Sequence, residues 1–182
     1  SMLLLSPRST HCISPAASVV YKSQQLINTF SHLLSQTQLV LPIGLLIIND
    51  PQINAFAVPG GLFALNTGLI NSARNMDEVA GVMAHEIAHV FQRHYSRSQE
   101  AFKGQGLLAL AGVVVGALVA SQADGDAGAA VMMGSQAALM DQQLTYSRNQ
   151  EREADRIGMQ YMYSAGYNPQ SMADFFEVMH RT

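Results

Sequence analysis

Met76-Asp-Glu-Val-Ala-Gly-Val-Met-Ala-His-Glu-Ile-Ala-His-Val-Phe91 is the stretch on which the reading of the chain turns. Val79, Met83, Ile87 and Val90 recur at helical spacing, and Asn75 with Glu78 three positions later supplies an N-terminal cap. The stretch therefore reads as an amphipathic helix on grounds independent of any motif. On that helix His85 and His89 lie about 40° apart and share a face. Two neutral imidazoles so placed can grip one zinc ion, and Glu86 beside them is a candidate general base. With six His and six Glu in 182 residues, chance alone would produce H-E-x-x-H in about 0.6% of such chains.

Catalytic zinc usually takes three protein ligands, so two histidines are half a site. One kind of H-E-x-x-H site finds its third ligand in a His six residues past the second, with a glycine midway. Here Tyr95 and Gln92 occupy those places. His94 falls about 500° along the helix from His89, so it points about 140° away and reads as a surface residue. The other kind takes a Glu from a later helix. In the mixed-charge helix Tyr146 to Tyr161, Glu151 and Asp155 are four apart and face the same way. Glu153 lies about 200° from Asp155 and is expected to turn outward beside Arg152 or Arg156.

The reading is Glu151 as third ligand, with Asp155 behind the site accepting the outer N–H of a liganding histidine. One zinc per chain, its activated water and Glu86 would then hydrolyse a peptide bond. Candidates for steadying the oxyanion are Tyr146, Tyr161, Arg152 and His180, with no pattern that selects among them.

Composition sets the bounds around this core. A chain of 182 residues is one domain by size. Hydrophobic residues make up 48% and charged residues only 13%, about half the usual charged share, with a mean hydropathy of +0.11. That points to an envelope or membrane-proximal setting. The net charge of −3, with no basic run, argues against a nucleic-acid partner. Cys12 is the sole cysteine, so no internal disulfide can form, and His11 and Cys12 have no second pair at metal-finger spacing.

Residues 1–17 read as an irregular leader, in which Leu3 to Leu5 are too few for a signal peptide. A helix follows from about Ser18 to Leu39, with His32 on its solvent side. Ile43 to Ile48 is a strand, and Ile53 to Val58 with Leu62 to Asn66 form a hairpin around Pro59-Gly60-Gly61. Pro59 marks the first arm as an edge, where an extended substrate could pair; Asn54 and Phe56 on that arm are candidate contacts. A short helical turn, Leu69 to Ser72, leads into the histidine helix.

Residues 101–145 read as a hairpin of two Gly/Ala-rich helices joined by a flexible Ser121 to Gly128 linker, a possible lid over the site or a membrane-dipping element. Its 14-residue uncharged run, Leu107 to Ala120, is short of the roughly 20 a membrane span needs. Asp124 and Asp126 are a fragment of a calcium loop without the remaining ligands. The last helix, Pro169 to His180, reaches Thr182 with no stop signal, so the native protein is expected to continue.

Asn54-Ala-Phe-Ala-Val-Pro-Gly-Gly61, Asn66-Thr-Gly-Leu69, His85-Glu-Ile-Ala-His89 and Ser147-Arg-Asn-Gln-Glu-Arg-Glu-Ala-Asp155, in that order, resemble metallopeptidase family forty-eight. The family carries its third zinc ligand four residues before an Asp, which maps onto Glu151. The resemblance implies an α+β, mainly helical zincin-like (gluzincin) domain over residues 1–182, with a small β-sheet beside the active-site helix.

It further implies a zinc endopeptidase, and without long membrane spans the chain is most similar to the BepA- and LoiP-like periplasmic branch. From that follow a periplasmic location and quality control of unfolded or misassembled outer-membrane proteins. A region beyond Thr182 would bind partners. An alternative within the same resemblance is a chaperone or assembly factor with a latent or structural zinc site.

Overall fold

The computed structural model describes residues 15–38, 43–122 and 125–181. Cys12, Asp124 and most of the expected leader lie outside them. The first helix, α1 (Pro15–Ser35), starts inside that leader and stops short of Leu39. Three strands follow: β1 (Gly44–Ile48), β2 (Ala55–Val58) and β3 (Leu62–Asn66). The sheet order is β1-β3-β2, with β1 parallel and β2 antiparallel to β3. Gly60 and Gly61 take φ of 110° and 94° in the β2–β3 turn, a conformation that a side chain would strain. β2 is therefore an edge strand, as its proline indicates.

After α2 (Thr67–Ser72), α3 (Met76–Phe91) forms with the expected bounds. The Asn75 side chain accepts from the Glu78 N–H at 3.0 Å. Glu78 does not complete a reciprocal cap on Asn75. Its carboxylate reaches one residue further back, accepting from the backbone N–H of Arg74 at 2.6 Å and its Nε at 2.7 Å. Buried and bonded in this way, Glu78 anchors the start of the helix.

Val79, Met83, Ile87 and their neighbours on α3 meet Leu26, Phe30 and Leu33 of α1, Phe63 and Leu65 of β3, and Leu69 of α2. Met162 and Ala165 close the core from one side and Met172 and Phe175 from another. The histidine helix is thus the central element, packed against α1, the sheet, α6 and α7.

Past α3 the chain departs from expectation in three places. A short helix, α4 (His94–Ala101), follows a single residue, Arg93, in the left-handed conformation (φ 54°, ψ 37°). α5 (Gln105–Gln122) and the first half of α6 (Gly125–Ser164) form the small-residue hairpin, but helix occupies most of the stretch expected to be a flexible linker. Finally, α6 is one helix of 40 residues, about 60 Å long. The second hairpin arm and the carboxylate helix are continuous, because no proline or paired glycine interrupts residues 129–164.

The hairpin packs closely: a Cβ on Gly116 would strike Met132, and one on Gly128 would strike Ala120. Its outer surface is apolar, with Leu107, Leu108, Leu110, Met133 and Met140 exposed. The span His94–Gln122 is long and apolar enough to cross a membrane by length and composition, more than the 14-residue run implies. α7 (Gln170–Arg181) then returns across α3.

Candidate metal centre

The site forms where α3 and the second half of α6 cross. Gly158 makes the crossing close: a Cβ there would stand 3.1 Å from the His85 nitrogen and 3.2 Å from the Ala84 carbonyl carbon. Glu151, Asp155 and Gly158 recur at i, i+4 and i+7, so one face of α6 carries both carboxylates to α3.

His85 Nε2 and His89 Nε2 lie 2.9 Å apart. Glu151 Oε2 lies 3.4 Å from the first and 3.6 Å from the second. Four ligands about 2.0–2.1 Å from a zinc ion are separated by about 3.3 Å. The three observed edges straddle that length, so the residues present fit one tetrahedral cation. Among the described residues, His85, His89 and Glu151 are the group with this spacing.

Electrostatics agree with the geometry. Burial, helped by the Phe176 ring edge-on at 5.1 Å, pushes the His85 imidazole down. Hydrogen bonds to Asp155 and Glu151 and the charge of Glu86 outweigh it and raise its pKa to about 9. Those bonds to His85 and His89 hold the Glu151 carboxyl far below the usual carboxylate range. The cluster therefore favours a positive charge at its centre, whether proton or metal.

Asp155 Oδ1 stands 2.9 Å from His85 Nδ1. With the carboxylate accepting there, a neutral His85 carries its proton on Nδ1 and turns a bare Nε2 to the site. Glu86 sits beside the cluster with its pKa raised by burial, against the opposing pull of His85, His89 and the backbone N–H of Ala57. A carboxylate tuned upward in this way takes up a proton more readily than an ordinary one, as a group that accepts and returns a proton must.

A cleft of about 830 Å³ opens in front of these residues. Phe56, Ala57, Pro59 and Gly60 form the β2 side, and Phe91 and Tyr95 lie along α3 and α4. None of the described residues in 101–145 lines it.

Of the six candidate substrate or oxyanion contacts, Phe56 alone lines the cleft. Asn54 and His180 are exposed away from its lining. Tyr146 packs its ring against Phe102 at 5.2 Å in a separate hollow beside the hairpin, because the continuous α6 places it more than a turn beyond Glu151. Arg152 is exposed outside the cleft lining, and Tyr161 packs on Phe91 at 6.1 Å.

Two further expectations need correction. His94 is buried rather than on the surface, with Nδ1 2.9 Å from His89 Nδ1. Glu153 does not turn out to Arg152 or Arg156. Its Oε2 meets His94 Nε2 at 3.2 Å and accepts from Arg97 Nη1 at 3.0 Å. For His94 the helical count continues α3 past Phe91, where the helix in fact ends; for Glu153 the angle on α6 holds, but that face meets α4 rather than solvent. The sequence signal that could have found them is a second His and Glu beside the first set, at positions 94 and 153.

A model described as peptidase family M48 matches residues 20–182. The chain belongs to peptidase family M48. Over 157 residues this M48 chain is 36% identical to the beta-barrel assembly-enhancing protease of Yersinia pestis, covering 85% of the chain and 32% of that protein. It is 36% identical over 138 residues to the protein of that name in Escherichia coli K12, covering 76% of the chain and 28% of the relative. The mitochondrial metalloendopeptidase OMA1 of Arabidopsis thaliana is 32% identical over 134 residues, covering 74% of the M48 chain and 25% of that protein. The chain spans about a third or less of the length of these relatives.

Proposed function

We propose that this M48 chain is the catalytic domain of a zinc-dependent endopeptidase that cleaves misfolded or unassembled outer-membrane proteins in the periplasm of a Gram-negative cell. The carrying observation is the convergence of His85 Nε2, His89 Nε2 and Glu151 Oε2 at tetrahedral-edge distances beside Glu86. His85, His89 and Glu151 would hold the ion, and Asp155 would orient His85. When bound, zinc supplies Lewis acidity and lowers the pKa of a water toward 7.

Glu86 takes a proton from the attacking water as its oxygen adds to the peptide carbonyl carbon. It then delivers that proton to the amine nitrogen as the C–N bond breaks. β2 pairs with β3 along one edge only, leaving its other edge to an extended substrate backbone. Such pairing needs unfolded chain, which matches a misassembled client better than a folded one. The substrate class rests on the relatives named for β-barrel assembly.

A second reading, a holding or assembly factor with a latent metal site, is favoured by the exposed apolar surface of the α5–α6 hairpin. The two separate in one experiment on the full-length protein with an unfolded outer-membrane β-barrel protein as substrate. Wild-type protein should carry one zinc per chain and cleave. Glu86→Gln should keep the zinc and lose cleavage by about 10²–10⁴-fold. Zinc-loaded wild type that holds the substrate but leaves it intact would overturn the peptidase reading.

A further inference from the structure

His94 and Glu153 have no part in the chemistry above, yet they are tied to it. Arg93 is the one non-glycine residue with positive φ among those described. For a side-chain-bearing residue that conformation costs about 1–2 kcal/mol. What it produces is specific: the chain leaves α3 two residues after Phe91 and swings His94 back against His89.

There His94 is clamped through its backbone. Its carbonyl accepts from Gln150 Nε2 at 3.0 Å, and Gln150 Oε1 in turn accepts from Ser98 at 3.0 Å. The imidazoles of His89 and His94 meet edge to face with centroids 4.8 Å apart. A strained residue and a buried clamp hold one ring nitrogen facing another.

The direction of each hydrogen bond follows from what the groups can do. Glu153, ionised beside Arg97, can only accept, so His94 Nε2 carries a proton. A neutral His94 then has a bare Nδ1. Facing it at 2.9 Å, His89 Nδ1 must carry the proton of that contact. A neutral His89 is then left with a bare Nε2, on the side where Glu151 and His85 converge.

We propose that His94, oriented by Glu153, is a positioning residue that fixes the ring and tautomer of His89 so that its Nε2 lone pair faces the metal position. The inference rests on the ligand assignment made above. It makes the site symmetric in design: a carboxylate behind His85 directly, and a carboxylate acting through a second imidazole behind His89.

The test uses full-length protein and three variants: His94→Phe, which fills the space without an acceptor; His94→Asn, whose side-chain oxygen can replace Nδ1; and Glu153→Ala, which leaves the buried ring in place. Zinc affinity is read by competition with a chromophoric chelator. The His89 tautomer is read in metal-free protein from two-bond 1H–15N spectra.

His94→Phe should weaken zinc about 10–100-fold and give mixed His89 tautomers. His94→Asn should recover most of the affinity, and Glu153→Ala should fall between. Unchanged zinc affinity and a single Nδ1–H tautomer in both His94→Phe and Glu153→Ala would overturn the proposal. Should His94→Phe fail to fold, Glu153→Ala decides by the same two readings. Wild type that binds zinc but cleaves nothing would sink the peptidase reading and leave these readings intact. Wild type that binds no zinc would remove the ligand assignment, and the proposal with it.

Discussion

His85 holds a proton where the proposed site would hold a metal. Asp155 and Glu151 raise its pKa from 6.5 to about 9 despite burial. Because the folded value lies above the unfolded one, protonation stabilises the metal-free fold. That stabilisation is complete below about pH 6.5 and disappears as pH rises through 9. The melting temperature of metal-free protein should therefore fall between pH 6.5 and 9. Zinc must displace the same proton, so its apparent affinity should rise about tenfold per pH unit in that window. Calorimetric titration in two buffers of different ionisation enthalpy would report the released proton; identical heats would count against it.

At the scale of elements, the site depends on how closely α6 approaches α3. A Cβ at Gly158 would stand 3.1–3.3 Å from the backbone of Ala84 and His85, so those atoms would have to give way slightly, and backbone yields less than a flexible side chain. Gly158→Ala should cost about 1–3 kcal/mol in chemical denaturation. Because the same face carries Glu151 and Asp155, it should also weaken zinc binding, unlike an alanine at Gly134, where a Cβ meets nothing within 4 Å. Equal zinc affinities in the two variants would show that the crossing distance does not set the ligand geometry. The long helix also explains the placement of Tyr146. Five residues before Glu151 on one straight helix, it lies up beside the hairpin against Phe102.

Across the whole molecule, a metal held by α3 and α6 would link two parts of the core from opposite sides of His85. α3 meets α1, the sheet, α6 and α7, so tying α6 to it restrains the fold at its centre. Free zinc at about 100 times its dissociation constant should stabilise the fold by about 2.7 kcal/mol. Chelation should lower the melting temperature accordingly, and Glu151→Gln should abolish most of the difference. A melting curve indifferent to chelator would argue that the ion does not bridge the helices. The hairpin of α5 and the first half of α6 stands apart from this coupling, since none of its described residues lines the cleft.

Local sequence determined what depends on short-range periodicity. The cap, bounds and apolar stripe of α3, the shared face of His85 and His89, the glycine turn between β2 and β3, and the pairing of Glu151 with Asp155 all follow from spacing within one or two helical turns or one hairpin. Tertiary structure decided what depends on where a helix stops or how two helices meet. Nothing local to Arg93 marks it as left-handed, because its conformation is imposed by packing of α4 against α6 through His94, Ser98 and Gln150. So the helical count that placed His85 and His89 correctly sent His94 to the surface, while the face of α6 turned away from Asp155 carries Glu153 onto α4 rather than into solvent. A period holds only while the hydrogen-bonded helix continues. His94 and His89 are only five residues apart, but the partner that seats His94, Glu153, arrives from 59 residues away.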